Sequence, residues 1–244
     1  MKLKVLDLFS GIGGFSLGLE RTGGFETVAF CEIDEHAKKC LNKHWPDTEI
    51  LNDVANLEYK KPVDLVTGGF PCQDLSFAGQ GAGLAGERSG LFWYILRTVL
   101  MVGQPKLLLE NVAALLDRGM GTVLGSLAEI GYDTEWHCIP ANSIGAKHSR
   151  DRVWIMADTH ESGWHGLGLK TLVDVPRSKE WGAIPECPSI DIFNETTIGS
   201  VPIPRELDGF PAAVDRLERI GNAVVPQIPE IIGHAILQAE GRNP

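Results

Sequence analysis

Short apolar runs alternate with helical patterns along the first two thirds of the chain. Five of these runs are typical of buried strands, at 3–9, 27–33, 63–69, 106–112 and 152–158. Helical patterns occupy 15–23, 34–45, 89–103 and 121–131. Strands that alternate with helices predict an α/β domain whose mostly parallel, twisted sheet carries helices on both faces.

The pattern changes near Thr159. Residues 159–204 carry Gly, Pro, Ser and Trp with little periodicity, which indicates loops and short irregular strands. An apolar helical pattern returns within 217–240 and opens near Pro226. We therefore divide the chain into an α/β domain (1–158), a short irregular region (159–204) and a C-terminal segment (205–244).

Composition limits the class of protein. With 244 residues, 43% of them hydrophobic, the chain has enough apolar material for one core and a small appendage. No run approaches the roughly 20 apolar residues that span a bilayer, and the N-terminus lacks the layout of a secretory signal. These features predict a cytoplasmic, intracellular protein.

Charge and cysteine content narrow the choice further. The formal net charge of −10 counts against a nucleic-acid partner, although Lys and Arg concentrate in 145–154. The five cysteines form no CxxC pair, so neither a disulfide framework nor a zinc site is indicated, and no metal is expected.

A glycine loop follows the first predicted strand, in DLFSGIGGFSLGLE (7–20). Gly11, Gly13 and Gly14 allow a tight turn and a close approach of a ligand at a helix N-terminus. Glu32 ends the second strand, where nucleotide-binding folds hold ribose hydroxyls, and Asp53 follows the next apolar patch. The GxGG spacing favours an adenosyl ligand other than a dinucleotide. The alternative is a tight turn followed by a solvated capping glutamate.

Four reactive or charged residues occur at further predicted strand ends: Cys72, Glu110, Arg150 and Arg152. Three roles are open to Cys72: a structural thiol, a metal ligand or a nucleophile. A metal role lacks companion ligands. A cysteine hydrolase would need a histidine partner that the sequence does not identify. A thiolate and a carboxylic acid suit conjugate addition to a pyrimidine. The thiolate attacks C6, the acid offsets charge at N3, and C5 becomes nucleophilic towards an electrophilic methyl group.

Taken together, these motifs resemble the cytosine-C5 DNA methyltransferase family over most of the chain. The matching segments are the glycine loop, CEID (31–34), NDV (52–54), GGFPCQDLSFAG (68–79), ENV (110–112), HSRDRVW (148–154) and RIGNAVVP (219–226). The resemblance implies a Rossmann-like methyltransferase fold, with S-adenosyl-L-methionine as the methyl donor and S-adenosyl-L-homocysteine as its product. Residues 1–158 would then be the catalytic and cofactor-binding domain, and 159–204 a small, reduced target-recognition region. Residues 205–244 would be a C-terminal segment that returns to the catalytic domain.

The resemblance also implies a role for individual residues. The catalytic group would be Cys72, which attacks C6, with Glu110 at N3 and Arg150 and Arg152 orienting the base. The cofactor-binding group would be Phe9, Gly11, Gly13, Gly14, Glu32, Ile33, Asp53, Val54, Pro71, Asn222 and Val224, with Pro71 also setting the backbone before the nucleophile. The DNA-binding group would be Gln73, Ser76 and Arg88, in a loop that closes over a flipped-out cytosine.

The chain departs from the family pattern in two places. His148 stands where the family often has Gln. Residues 159–200 leave only about 42 positions for reading DNA. The candidate contacts in this region are Trp164, His165, Arg177 and Trp181. Arg205 and Glu206 are the candidate counterparts of a segment that precedes the recognition region in the family.

The expected protein is a monomeric methyltransferase that acts on double-stranded DNA, of bacterial or phage origin, without a membrane or metal partner. Two alternatives remain. One is an RNA methyltransferase of the same family, and the other is a weakly active or inactive nucleic-acid-binding relative.

Overall fold

The computed structural model describes residues 1–71, 90–144, 151–159 and 223–242. Seven strands form one sheet: β1 (Leu3–Leu8), β2 (Phe25–Cys31), β3 (Glu49–Leu51), β4 (Leu65–Gly69), β5 (Lys106–Val112), β6 (Asp133–Pro140) and β7 (Asp151–Asp158). The α-helices of these ranges are α1 (Gly14–Arg21), α2 (Glu35–His44), α3 (Leu91–Met101), α4 (Leu115–Arg118), α5 (Met120–Glu129) and α6 (Gln227–Ala239). A 3-10 turn, Val54–Asn56, follows β3 and is called the 54–56 turn below.

The strand order is β3-β2-β1-β4-β5-β7-β6. The strands β3, β2, β1, β4 and β5 pair in parallel, whereas β7 runs antiparallel to both β5 and β6. The predicted α/β fold with a mostly parallel sheet is therefore confirmed. The predicted 27–33 strand begins two residues earlier and ends at Cys31, and the edge strand β6 was not anticipated, because half of its positions are polar.

The two faces of the sheet bury different helices, because alternate strand residues point to opposite sides. Leu6 and Leu8 of β1 belong to a cluster with Phe92 of α3 and Val123 of α5. Val5 lies on the other face. There α1 and α6 cover the sheet through Phe15, Leu19, Ile232 and Ile236, as the sequence predicts for helices on both faces.

The C-terminal segment packs closely on α1 through two glycines spaced four residues apart. A Cβ atom added to Gly18 would lie 2.1 Å from the Pro226 carbonyl oxygen. One added to Gly14 would lie 2.5 Å from the Val224 carbonyl oxygen. Only glycine permits this approach, so the C-terminal segment contacts the helix that opens at the glycine loop. No helix in the described ranges is long and apolar enough to cross a membrane.

Candidate active site

Most of the predicted cofactor and catalytic residues that the structure describes lie at one edge of the sheet. Phe9 follows β1, Glu32 follows β2 and Pro71 follows β4, while Glu110 lies near the end of β5. These four strands are parallel and lie side by side. Their carboxyl ends therefore meet at the edge where open α/β sheets bind ligands.

The glycine loop turns sharply between β1 and α1. Phe9, Gly11 and Gly13 all have positive φ angles, of 52°, 53° and 86°. The Ser10 hydroxyl donates to the Asp7 carbonyl oxygen at 2.6 Å and accepts from the Cys31 N–H at 3.2 Å, which ties the loop to the end of β2. The Ser10 side chain thus holds the turn against the end of β2.

The glycines of this loop serve different purposes. A Cβ atom on Gly11 would meet nothing within 4 Å, so this residue faces open space. A Cβ atom on Gly13 would lie 2.6 Å from the ring of Trp45, whose indole N–H donates to Glu20 at 2.8 Å. Gly13 and Gly14 are therefore required for packing against Trp45 and Val224, and Gly11 leaves room for a ligand. The sequence contained no signal for the role of Trp45.

Glu32 links the loop to the segment after β2. Its Oε2 accepts from the Gly11 N–H at 2.7 Å, and its Oε1 accepts from the Asp34 N–H at 2.8 Å. The next side chain, Ile33, is 66% exposed, which is high for a large apolar residue. A fixed carboxylate beside an open glycine and an exposed apolar side chain fits the ribose and base of an adenosyl group.

Asp53 opens the 54–56 turn. Its Oδ1 accepts from the Ala55 N–H at 2.9 Å, and its Oδ2 accepts from the Asn56 side-chain amide at 2.9 Å. A carboxylate oxygen has two lone pairs, so these bonds fix the group and leave it able to accept from a ligand. The side chain of Val54 is buried under the turn.

Asp7 is a buried carboxyl group that the sequence analysis did not single out. Its two oxygens accept from the Thr67 hydroxyl at 2.7 Å and the Ser16 hydroxyl at 2.8 Å. Burial raises the pKa of Asp7 to about 7, with smaller contributions from the charges of Glu32 and Glu20, while the two hydroxyl bonds oppose the rise. An acidic residue inside an apolar strand pattern was the available signal.

Glu110 and Arg152 form an ion pair, with 2.8 Å between Arg152 Nε and Glu110 Oε1. The antiparallel register places Glu110 opposite Trp154 and Val112 opposite Arg152, so the two charged residues are diagonal neighbours on adjacent strands. Glu110 is only 7% exposed. The structure therefore brings together two of the four predicted catalytic residues.

Asn111 supports the segment that leads to Cys72. Its side-chain amide donates to the Phe70 carbonyl oxygen at 2.8 Å, and its side-chain oxygen accepts from the Val112 N–H at 2.8 Å. Phe70 is two residues before Cys72 in the sequence. This cross-strand bond was not predicted, because its two residues are 41 positions apart.

Several predicted residues lie outside the described ranges. They are Cys72, Gln73, Ser76, Arg88, His148, Arg150, Trp164, His165, Arg177, Trp181, Arg205, Glu206 and Asn222. Among the residues that are described, no group of three or more His, Cys, Asp or Glu side chains is arranged to hold a metal ion.

The sheet order and the glycine-loop edge define a Rossmann-like methyltransferase fold. The fold is similar to that of the S. pombe Dnmt2 methyltransferase, with a TM-score of 0.58 and 20% identity over 80% of this chain and 61% of that one. The profile of C-5 cytosine-specific DNA methylases matches residues 3–186. The chain belongs to this family.

Two relatives show how much of the chain is shared. The Type II methyltransferase M2.BsuMI of Bacillus subtilis (strain 168) is 40% identical over 167 residues, which are 65% of this chain and 43% of the relative. The Type II methyltransferase M.HgiBI of Herpetosiphon aurantiacus is 31% identical over 216 residues, which are 85% of this chain and 48% of the relative. The chain spans about half the length of the curated relatives it matches.

Proposed function

We propose that this chain is a DNA cytosine-C5 methyltransferase that uses S-adenosyl-L-methionine and acts on double-stranded DNA. The observation that supports it is the pair Glu110–Arg152, which lies at the same sheet edge as the glycine loop and beside the strand that leads to Cys72. When bound, S-adenosyl-L-methionine supplies an electrophilic methyl group. Restriction–modification is the setting that the Type II relatives suggest.

In the proposed mechanism the Cys72 thiolate attacks C6 of the cytosine. Glu110 offsets the negative charge that develops at N3 by sharing a proton there, which makes C5 nucleophilic. Arg152 holds the Glu110 carboxyl group in place through their 2.8 Å contact. Arg150 would orient the base. A cytosine within a duplex is out of reach of Cys72, so the base must first leave the stack.

On the cofactor side, the proposed contacts of Glu32 and Asp53 use carboxylates that are already held by hydrogen bonds. Glu32 is oriented by the N–H groups of Gly11 and Asp34, and it would accept bonds from the ribose hydroxyls. Asp53 and Val54 would meet the adenine edge, with Ile33 against the ring. Phe9 and Gly11 would line the pocket, and Asn222 and Val224 would close it from the C-terminal side.

The test is transfer of labelled methyl groups from S-adenosyl-L-methionine to duplex DNA. The wild-type chain is expected to label DNA, and Cys72→Ala is expected to abolish labelling. Cys138→Ala is the matched control, because this exposed cysteine lies on the edge strand β6. Labelling that survives Cys72→Ala would refute the mechanism, and labelling of transfer RNA in preference to DNA would favour the RNA alternative.

A second experiment separates an enzyme from a binding relative. A duplex that carries 5-fluorocytosine should trap a covalent adduct with the wild-type chain and none with Cys72→Ala. Binding of the duplex without any adduct would support the inactive alternative. We also propose that the protein is intracellular, because cellular DNA is the proposed substrate. We further propose that it is a monomer, and light scattering of the full chain measures its mass.

A further inference from the structure

Helix α3 contacts both sides of the site. Phe92, in its first turn, packs against Phe70 with ring centroids 5.2 Å apart, and Phe70 directly precedes Pro71. Further along the helix, Arg97 reaches the 54–56 turn that follows Asp53. One helix therefore touches the entry to the Cys72 segment and the turn proposed to meet adenine.

Arg97 closes the C-terminal end of the 54–56 turn. Within the turn, the N–H groups of Asn56 and Leu57 bond to the carbonyl oxygens of Asp53 and Val54. The next carbonyl, that of Ala55, accepts from Arg97 Nη1 at 2.8 Å, and the Leu57 carbonyl accepts from Arg97 Nη2 at 2.9 Å. A planar guanidinium group presents two donors in a fixed fork, which a lysine ammonium group cannot reproduce.

Ala55 connects this arginine to Asp53. Its N–H donates to Asp53 Oδ1 at 2.9 Å, while its carbonyl oxygen accepts from Arg97. Asp53 and Arg97 thus hold the two ends of one residue. A shift of Ala55 would move the Asp53 carboxylate, because the Ala55 N–H is bonded to that carboxylate.

We propose that Arg97 is a positioning residue that holds Asp53 at the 6-amino edge of adenine and so sets the preference of the chain for an adenine base in its methyl donor. This inference rests on the proposed function, because it takes an adenosyl ligand at Asp53. An exocyclic amine donates a hydrogen bond to a carboxylate, whereas an oxo group at the same position presents a second acceptor to it. Discrimination between the two therefore depends on where the carboxylate is held.

The test compares two ligands by titration calorimetry with the full chain. S-adenosyl-L-homocysteine carries the 6-amino group, and S-inosyl-L-homocysteine carries an oxo group in its place. The wild-type chain should prefer the adenine ligand. In Arg97→Lys the adenine ligand should bind about tenfold more weakly and the inosine ligand less than about threefold, which reduces the preference.

The matched control is Arg242→Lys. Arg242 also donates to a backbone carbonyl oxygen, that of Met1 at 2.9 Å, but it lies beyond α6 and away from the 54–56 turn. This variant should keep the wild-type preference. Equal weakening of both ligands by Arg97→Lys, or an unchanged preference, would overturn the proposal and leave Arg97 a general structural residue.

Hydrogen exchange provides a measurement that needs no ligand. The Ala55 amide should exchange several-fold faster in Arg97→Lys, and in Arg97→Gln as a second variant, than in the wild-type chain. Unchanged exchange in both variants would overturn the proposal. If the wild-type chain binds neither ligand, the proposed cofactor is wrong, and that failure is separate from any effect of Arg97.

Discussion

The two sides of the proposed site are held in different ways. On the cofactor side, backbone N–H groups orient the carboxylates of Glu32 and Asp53 at distances of 2.7–2.9 Å. On the catalytic side, the described contacts are between strands, with Glu110 bonded to Arg152 and Asn111 bonded to the Phe70 carbonyl oxygen. Within the described ranges, the carboxylates of the cofactor side are thus held by backbone groups, whereas the groups of the catalytic side are held by side-chain bonds between residues far apart in sequence.

Asp7 joins the two sides. Its carboxyl group accepts from Ser16 of α1, which belongs to the glycine-loop side, and from Thr67 of β4, which leads to the Cys72 segment. Because Asp7 bonds to Ser16 and to Thr67, a substitution of Asp7 should affect both sides of the site. The following changes test this contrast, from the largest expected effect to the smallest.

Glu110→Gln should lower kcat for methyl transfer by about 10²–10⁴-fold, the usual range for loss of a general acid. An amide cannot share a proton with N3 in the same way, and it weakens the pairing with Arg152. Steady-state rates of labelled-methyl transfer measure the effect. Glu135→Gln is the control, because Glu135 pairs with His137 on the edge strand. A wild-type rate of methyl transfer in Glu110→Gln would show that Glu110 is not a catalytic residue.

Gly18→Ala should destabilise the fold by about 1–3 kcal/mol, because the new methyl group would overlap the Pro226 carbonyl oxygen. Gly125→Ala on α5 is the control, since a Cβ atom there meets nothing within 4 Å. That change should stabilise the chain by about 0.5–1 kcal/mol through helix propensity. Urea unfolding of both variants decides the point. Equal free energies of unfolding for the two variants would show that the C-terminal segment does not pack closely on α1.

Asn111→Ala should lower the free energy of unfolding by about 1–3 kcal/mol, because it leaves the buried Phe70 carbonyl oxygen without this donor. It should also slow adduct formation with a 5-fluorocytosine duplex, since the backbone before Cys72 loses a support. Asn56→Ala on the cofactor side removes an exposed bond and should cost less than about 0.5 kcal/mol. Similar losses in the two variants would contradict the contrast between the sides.

Asp7 should make stability depend on pH. Its pKa is raised to about 7 in the folded chain, above the ordinary value near 4, so the folded state holds an extra proton between these values. The free energy of unfolding should therefore fall as pH rises from about 4 to 7 and level off above.

Asp7→Asn should remove this slope, because an amide does not titrate in that range. Thermal or urea unfolding at pH 5 and pH 8 measures the difference between the variant and the wild-type chain. The free energy of unfolding of the variant, taken relative to that of the wild-type chain, should be higher at pH 8 than at pH 5. A wild-type slope that persists in Asp7→Asn would assign the titration to another group.

Much of the fold follows from local patterns. The strand at 106–112 is predicted to the residue, because a continuous apolar run indicates a strand buried on both faces. Helix α2 begins at Glu35 after an Asp34 cap whose side chain bonds to two backbone N–H groups, which is a local signal. The polar edge strand β6 lacks such a run, and the antiparallel direction of β7 has no local signal.

The sequence predicts Glu32, Asp53 and Glu110 at strand ends. Because the strands are parallel, these ends lie at a common edge of the sheet. The sequence by itself therefore determined the α/β class, the glycine loop and the family. Only the tertiary structure decided that Arg152 pairs with Glu110, that Asn111 holds Phe70, and that Arg97 and Asp53 hold the same turn. Each of these contacts joins residues far apart in sequence, and the sheet order and packing that bring them together come from the whole chain rather than from a local pattern.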